Sequence, residues 1–427
     1  MAVDRTTAPI IQDAIEFDFK LPPINKGKLD NGIPLYWLNA GVQDVVEVDW
    51  VFNAGTWQES KHGIAQAVAA LLKSGTSKRS AQEINEALEY YGASFKARTG
   101  NDYVVVSVFT LTKHLPELLP IIYEIFTEAT FPQDEIDIFK RNVIQRLMVN
   151  MRQCDFVANQ RIDALLFGED HPYGRYTKKD AIEAITREDL QNFFKDNFSL
   201  SGVKMFMAGN IGDKETKLLN DVFGKGHGEA VASEQTIFKV DTSTVLKHNI
   251  VNDKDGVQGA IRIGSLFPNR HHPDFAPMVV LNTIYGGYFG SRLMSNIRED
   301  KGYTYGIYSG LSPYAHGGSL VIQTEVGRDV IEKAVSEIYH EMDVITNDLA
   351  DEDELLLVKN YLLGNLLGDL DGPFQILQRW RMLILNDLDI AHFDNNVRLY
   401  KSITATELRD LAQKYFVKDK FHEVVVV

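Results

Sequence analysis

Few side chains of this 427-residue sequence could hold a metal or move a proton, and their spacing argues against most of them. His271-His272 with Asp274, in RHHPDF, offers two imidazoles and a carboxylate, donor types that zinc takes. Adjacent histidines beside a proline, however, read as a polar loop. His171, in EDHPYGRYT, is another lone loop histidine. Asp369-Leu370-Asp371-Gly372-Pro373 is acidic but lacks the ligand pattern of a calcium loop, and reads as a turn. Gly286-Gly287 with Gly290 lacks the Gly-x-x-x-x-Gly-Lys spacing of a phosphate loop, so these glycines serve close backbone packing. Cys154 is the single cysteine, which excludes an internal disulfide and a cysteine-built zinc site. Arg298 and Tyr305, in IREDKGYTYG, bring a guanidinium with fixed donors and a phenol able to donate to an oxyanion. Taken alone, they read as a solvated helix end and a strand residue packed on a sheet.

The elements around these residues carry a stronger pattern. In His62 to Thr76, HGIAQAVAALLKSGT, the apolar residues Ile64, Ala67, Val68, Leu71 and Leu72 recur at helical spacing, and Lys73-Ser74-Gly75-Thr76 ends the run. This is a buried helix with a defined stop. GIPLYWLNAG and VVEVDWVFNAG alternate apolar and polar residues ahead of it, which predicts an antiparallel strand pair with one buried face. Ser80-Ala81-Gln82-Glu83 spells a capping box before a helix ending at Gly92, and SFKARTGNDYVVVSVFTL reads as a hairpin. Two amphipathic helices follow, the second running from Gln133 past Leu147 towards Cys154.

The second half repeats this plan. Ile185-Thr186 with Leu190 recurs 218 residues on as Ile403-Thr404 with Leu408, and Asp134-Glu135 with Lys140 recurs 219 residues on as Asp353-Glu354 with Lys359. Two independent anchors agreeing within one residue point to internal duplication. Both halves close on a β-like run, VKMFMAGNI and FHEVVVV. The fold class is therefore α+β: two homologous domains, each a mainly antiparallel sheet with helices packed on it. The expected boundaries are an N-terminal arm at 1–30 broken by Pro9 and Pro22-Pro23, a first domain at 31–223, a Gly-rich hinge linker at 224–244 and a second domain at 245–427.

The stretch His62 to Thr76 resembles the zinc helix of the insulinase or pitrilysin-type metallopeptidases, which carries H-x-x-E-H and runs on into Gly-Thr. GGYFGSRLMSNIRED is similar to a second text of that family, and the resemblance spans residues 30 to 427. It places the two histidines on Gln66 and Ala70, the glutamate on Ala69 and a distant third ligand on Leu147. Residues at i, i+3 and i+4 share a helix face, where two imidazoles could grip zinc and a carboxylate could take the proton of attacking water. Here that face offers one amide and two methyls. The resemblance thus implies a degenerate subunit with no metal of its own, and a clam shell of two halves around a chamber. It also implies that Arg298 and Tyr305, seven residues apart as in the family, bind substrate backbone opposite a zinc.

Composition narrows the partners. With 44 Lys+Arg against 59 Asp+Glu the net charge is -15, which speaks against nucleic acid and is compatible with basic peptides. No run approaches the roughly 18 apolar residues of a membrane span, and the acidic N-terminus does not read as a signal peptide. The expected location is cytoplasmic, or periplasmic had a leader been removed. The resemblance implies a homologous partner with an intact H-x-x-E-H, as in mitochondrial processing peptidase and bacterial relatives, with zinc on that partner, a peptide substrate, and a homodimer when the chain is isolated. The alternative is a structural or binding protein on the same fold without a proteolytic role, like core subunits of respiratory complexes. An autonomous enzyme using another metal would need ligands the sequence does not supply.

Overall fold

In the computed structural model the described residues are 12–226 and 236–427. Pro9 and residues 227–235 of the expected linker lie outside them. Among the described residues the first half builds a sheet of six strands, β1 (Asn25–Lys28), β2 (Pro34–Asn39), β3 (Val45–Phe52), β4 (Ser94–Thr99), β5 (Val104–Leu111) and β6 (Lys204–Gly209), in the order β1-β2-β6-β3-β5-β4. The second half builds five, β7 (Lys247–Ile250), β8 (Gln258–Leu266), β9 (Ile307–Tyr314), β10 (Gly317–Gly327) and β11 (His422–Val426), in the order β7-β11-β8-β10-β9.

Apart from β1, the two sheets match strand for strand and sense for sense. β2–β6 and β7–β11 are parallel pairs, and every other neighbouring pair is antiparallel. This is the mainly antiparallel α+β fold of two like halves that the repeat predicted. One detail differs: β2 and β3, expected to pair, are separated by β6, which arrives from the far end of the half and inserts between them. Sequence neighbours alternate in the same way in either arrangement, so the pattern could not tell them apart. The end of the expected arm also joins the sheet as β1, while Phe19, Leu21 and Ile24 are buried.

The helices are α1 (Ile64–Leu71), α2 (Ala81–Tyr90), α3 (Leu115–Glu128), α4 (Gln133–Asn150), α5 (Cys154–Phe167), α6 (Lys179–Glu183), α7 (Arg187–Asn197) and α8 (Asp213–Phe223) in the first half. The second half has α9 (Phe275–Asn282), α10 (Ile331–Asn347), α11 (Glu352–Gly368), α12 (Pro373–Leu385), α13 (Ile390–Ser402) and α14 (Ala405–Tyr415). The anchors of the repeat are structural devices. Thr186 and Thr404 each close a capping box, on α7 with Asp189 and on α14 with Glu407. Lys140 donates to the Glu183 carbonyl at 2.9 Å and Lys359 to the Lys401 carbonyl at 3.1 Å, each two residues before the Ile-Thr.

Alternation decides what each sheet face meets. Val46, Val48, Trp50 and Phe52 of β3 enter the core formed with α1, α3 and α8, whereas Asp49 and Val51 face the opposite way. That opposite face is covered from the other half: Ile376, Leu377, Trp380 and Leu383 of α12 pack on Leu38, Val51, Phe206 and Ala208. Reciprocally, Ala158, Ile162, Leu165 and Leu166 of α5 pack on Ala260, Val424 and Val426 of the second sheet. Each large apolar side chain buried this way contributes roughly 1.5–3 kcal/mol, so the exchange binds the halves together. The described part of the expected hinge is tied down as well, with Asp241 N–H donating to the Phe167 carbonyl at 3.0 Å and Ser243 N–H to that of Leu165 at 2.8 Å.

Candidate functional site

Arg298 and Tyr305 meet because the chain between them is folded back on itself. Arg298 lies in a π-helical segment, Met294–Asp300, a wide turn often found at functional sites. The segment ends with Lys301 N–H on the Asn296 carbonyl and Tyr303 N–H on the Ile297 carbonyl, both at 3.0 Å, and with Gly302 at a left-handed φ of 66°. Beyond the reversal, Thr304 accepts the Gly306 N–H at 3.1 Å and the Thr324 hydroxyl at 2.9 Å, and donates to the Glu325 carbonyl at 2.7 Å. The Thr304 hydroxyl thereby ties the segment around Tyr305 to β10. The Arg298 guanidinium then sits 5.8 Å from the centre of the Tyr305 ring and 4.6 Å from that of Phe289.

Tyr305 is 94% exposed and borders a cleft of about 670 Å³ on the face of the second sheet, with Tyr308, Gln323, Glu325, Asp155 and Arg262 among its walls. Burial holds the Glu325 carboxyl above its usual range and the charge of Asp155 adds to this, while Arg262 opposes it. The cleft therefore combines an exposed phenol with the carboxyls of Asp155 and Glu325, and the Arg298 guanidinium stands beside the phenol. Such a surface can donate to a peptide carbonyl and accept from a cationic side chain.

The positions of the degenerate zinc face stand on the first half. Gln66 and Ala70 are exposed on α1, Ala69 is buried one position before Ala70, and Leu147 is buried on α4, which packs against α1. Glu59 caps α1, accepting from the N–H groups of Gly63 at 3.1 Å and Ala65 at 2.9 Å. An amide, two methyls and a leucine do not fit zinc. Among the described residues no group of three or more His, Cys, Asp or Glu side chains is placed to hold a metal.

The other sequence candidates have structural partners. Asp274 takes the Tyr415 hydroxyl at 2.7 Å and the Lys414 ammonium at 2.5 Å, and His272 Nδ1 accepts the Asp274 N–H at 3.1 Å. His171 lies in the loop expected for it, between α5 and α6, and is buried there: its ring stacks on Phe167 at 5.4 Å and accepts the Tyr173 N–H at 3.1 Å. Burial lowers its pKa, with Arg175 and His316 adding to the effect. Asp351 caps α11, and Glu354 holds Arg292 through two hydrogen bonds of 2.8 and 2.7 Å. Sequence reading missed Phe289. Its one signal was an aromatic residue set among the glycines of GGYFG.

Residues 38–170 match the family model described as insulinase (peptidase family M16), and residues 184–362 match that of the peptidase M16 inactive domain. An uncharacterized zinc protease of Bacillus subtilis, YmxG, is 24% identical over 89% of this chain and 92% of its own length. An uncharacterized zinc protease of Rickettsia felis is 23% identical over 80% and 83%. Among solved structures, a peptidase M16 inactive domain from Pseudomonas fluorescens has a TM-score of 0.85 at 21% identity, covering 94% of this chain and 98% of that one. A Helicobacter pylori protease also gives 0.85, at 16% identity over 95% and 100%. These structural likenesses establish the fold. No helix among the described residues is long and apolar enough to cross a membrane.

Proposed function

The chain belongs to the insulinase family of peptidases, and on that premise we propose that it is the non-catalytic, substrate-binding subunit of a two-chain zinc peptidase. In this reading a homologous partner carries the zinc helix, and this chain supplies Arg298 and Tyr305 to the shared site. The observation that carries the reading is an asymmetry of retention. Gln66, Ala69, Ala70 and Leu147 have no metal chemistry, yet Arg298 stands beside a Tyr305 that is 94% exposed and committed to no core. A guanidinium holds a peptide carbonyl through fixed donors, and the phenol donates to the oxyanion that forms when that carbonyl is attacked.

The test begins with copurification of the native protein and identification of its partner by mass spectrometry. The assembled complex is then assayed with wild type and with Tyr305→Phe, which removes one hydroxyl and keeps the ring. A donor used in the transition state is worth about a hundredfold or more in rate, so kcat and kcat/KM should both fall by that order. Unchanged turnover in an intact complex would overturn the role of that hydroxyl and favour a structural subunit on the same fold.

A further inference from the structure

We propose that Phe289 is a positioning residue, which fixes the Arg298 guanidinium beside Tyr305 and leaves its N–H donors free for a peptide backbone carbonyl; this rests on the reading of Arg298 and Tyr305 given above. Phe289 is 56% exposed and belongs to none of the hydrophobic clusters found among the described residues. The fold does not use it for packing. What it does touch is the guanidinium, 4.6 Å from its ring centre, a geometry in which the negative face of an aromatic ring attracts a cation.

The backbone that presents Phe289 is fixed closely. The residue lies between two π-helical segments, Thr283–Gly287 and Met294–Asp300. Tyr288 packs against the core of the second half, with its ring 4.9 Å from that of Tyr361. A Cβ at Gly290 would stand 2.8 Å from the Tyr288 ring, and one at Gly286 would stand 2.8 Å from both Leu293 and Ser309 side chains. Glycine at both places lets Tyr288 fold inward and leaves the next residue outward, over Arg298.

Besides the two rings, the guanidinium has one charged neighbour, with which it makes a loose ion pair. Its carboxylate neighbour Glu299 is 3.7 Å away, beyond hydrogen-bond range, and no protein hydrogen bond engages it among the described residues. A long arginine side chain in that state samples many rotamers, and ordering it on binding costs affinity. Contact with the ring orders it beforehand without consuming a donor, whereas closer hydrogen bonding to Glu299 would use one.

Arginine Nε–Hε NMR of the full 15N-labelled chain tests this directly, the Arg298 signal being identified by its loss in Arg298→Lys. The wild type should show a ring-current shift and slow rotation of the Arg298 guanidinium. Phe289→Tyr should keep both, whereas Phe289→Ala and Phe289→Leu should lose both. An Arg298 signal unchanged in Phe289→Ala would overturn the proposal. In the complex with the zinc-bearing partner, Phe289→Ala should lower kcat/KM about fivefold, Phe289→Tyr should restore it, and Phe289→Ala should add nothing in an Arg298→Ala background. If Phe289→Ala has its full effect without Arg298, the stack is not the cause and the proposal fails. If Arg298→Ala itself leaves turnover unchanged, the function proposed for the pair fails, while the NMR comparison still decides whether Phe289 positions it.

Discussion

Asp49, in the middle of the first sheet, accepts a hydrogen bond from Arg381, which stands on a helix of the other half. A second pair repeats the relationship with the charges reversed: Arg262 on β8 donates to Asp155 in the first turn of α5. The sheet residue of each pair is fully buried, Asp49 at 0% and Arg262 at 1% exposure, and each partner lies on a helix that crosses to cover the sheet. Arg262 is further held by Asn159 at 2.7 Å and by its own neighbour's carbonyl, that of Ile261, at 2.9 Å. Each charge paired across the layer fixes where its crossing helix lies. A buried charge with such a partner adds little net stability but is costly to leave unpaired.

Replacing Arg381 by methionine should therefore destabilise the chain by about 3–5 kcal/mol at neutral pH, because Asp49 is left buried without its cation. Asp49→Asn combined with Arg381→Met should recover most of that loss, since no charge then remains buried. Chemical denaturation of the full chain measures both. A double variant as unstable as Arg381→Met alone would mean that the loss comes from packing of the arginine stem.

The duplication was legible because its anchors do local work that demands particular residues. Ile-Thr is a buried residue followed by a cap, and Lys140 and Lys359 bind the same backbone carbonyl in each half. The pairing of Arg298 with Tyr305 was legible only through the family resemblance of its flanking text, since their residue types and spacing alone read as a helix end and a strand. The exchange of α5 and α12 was not, because an apolar helix face has the same pattern whether it covers its own sheet or another. Phe289 was not legible either, since an exposed aromatic residue takes its meaning from the guanidinium it meets in space. Nor could His171 be read as buried: its partners Phe167 and Trp57 are respectively close in sequence and more than a hundred residues away.

The pH dependence of stability should carry the mark of two half-buried carboxyls. Burial pushes Asp163 up to about 7 against the opposing charge of Arg262, and pushes Glu47 up to about 7 with the charge of Asp49 adding to it. A carboxyl raised in the folded state keeps its proton there while the unfolded chain releases it. Its contribution is therefore most favourable below the ordinary values of 3.8 and 4.5, and is lost as pH rises towards about 7. Asp163→Asn should match the wild type near pH 4 and become more stable by on the order of 2 kcal/mol near pH 7.5. Unfolding curves for the pair across that range, with a constant difference at every pH, would refute the assignment.

The last expectation concerns the face that has lost its metal chemistry. Gln66 and Ala70 are exposed one turn apart on α1, so imidazoles at both would project from the same side of the helix into free space. Leu147 is buried on α4, against which α1 packs, and the cap from Glu59 holds the start of α1 in place. Two histidines on a fixed helix and a carboxylate from its packing neighbour are the donor types of a three-ligand zinc site. The wild type should hold no stoichiometric zinc after dialysis, whereas Gln66→His, Ala70→His and Leu147→Glu together should bind one ion per chain in isothermal titration. Adding Ala69→Glu should leave that affinity nearly unchanged, since the residue would handle a proton and not the metal. Returning position 147 alone to leucine should weaken binding by at least about tenfold, because two ligands remain. Peptidase activity is not expected even from the fourfold variant, as the hydrogen bonds that orient metal-bound histidines would be missing. A folded variant carrying all three ligands that takes up no zinc would show that α1 and α4 no longer converge at these positions, and that the site has been lost in backbone as well as in side chains.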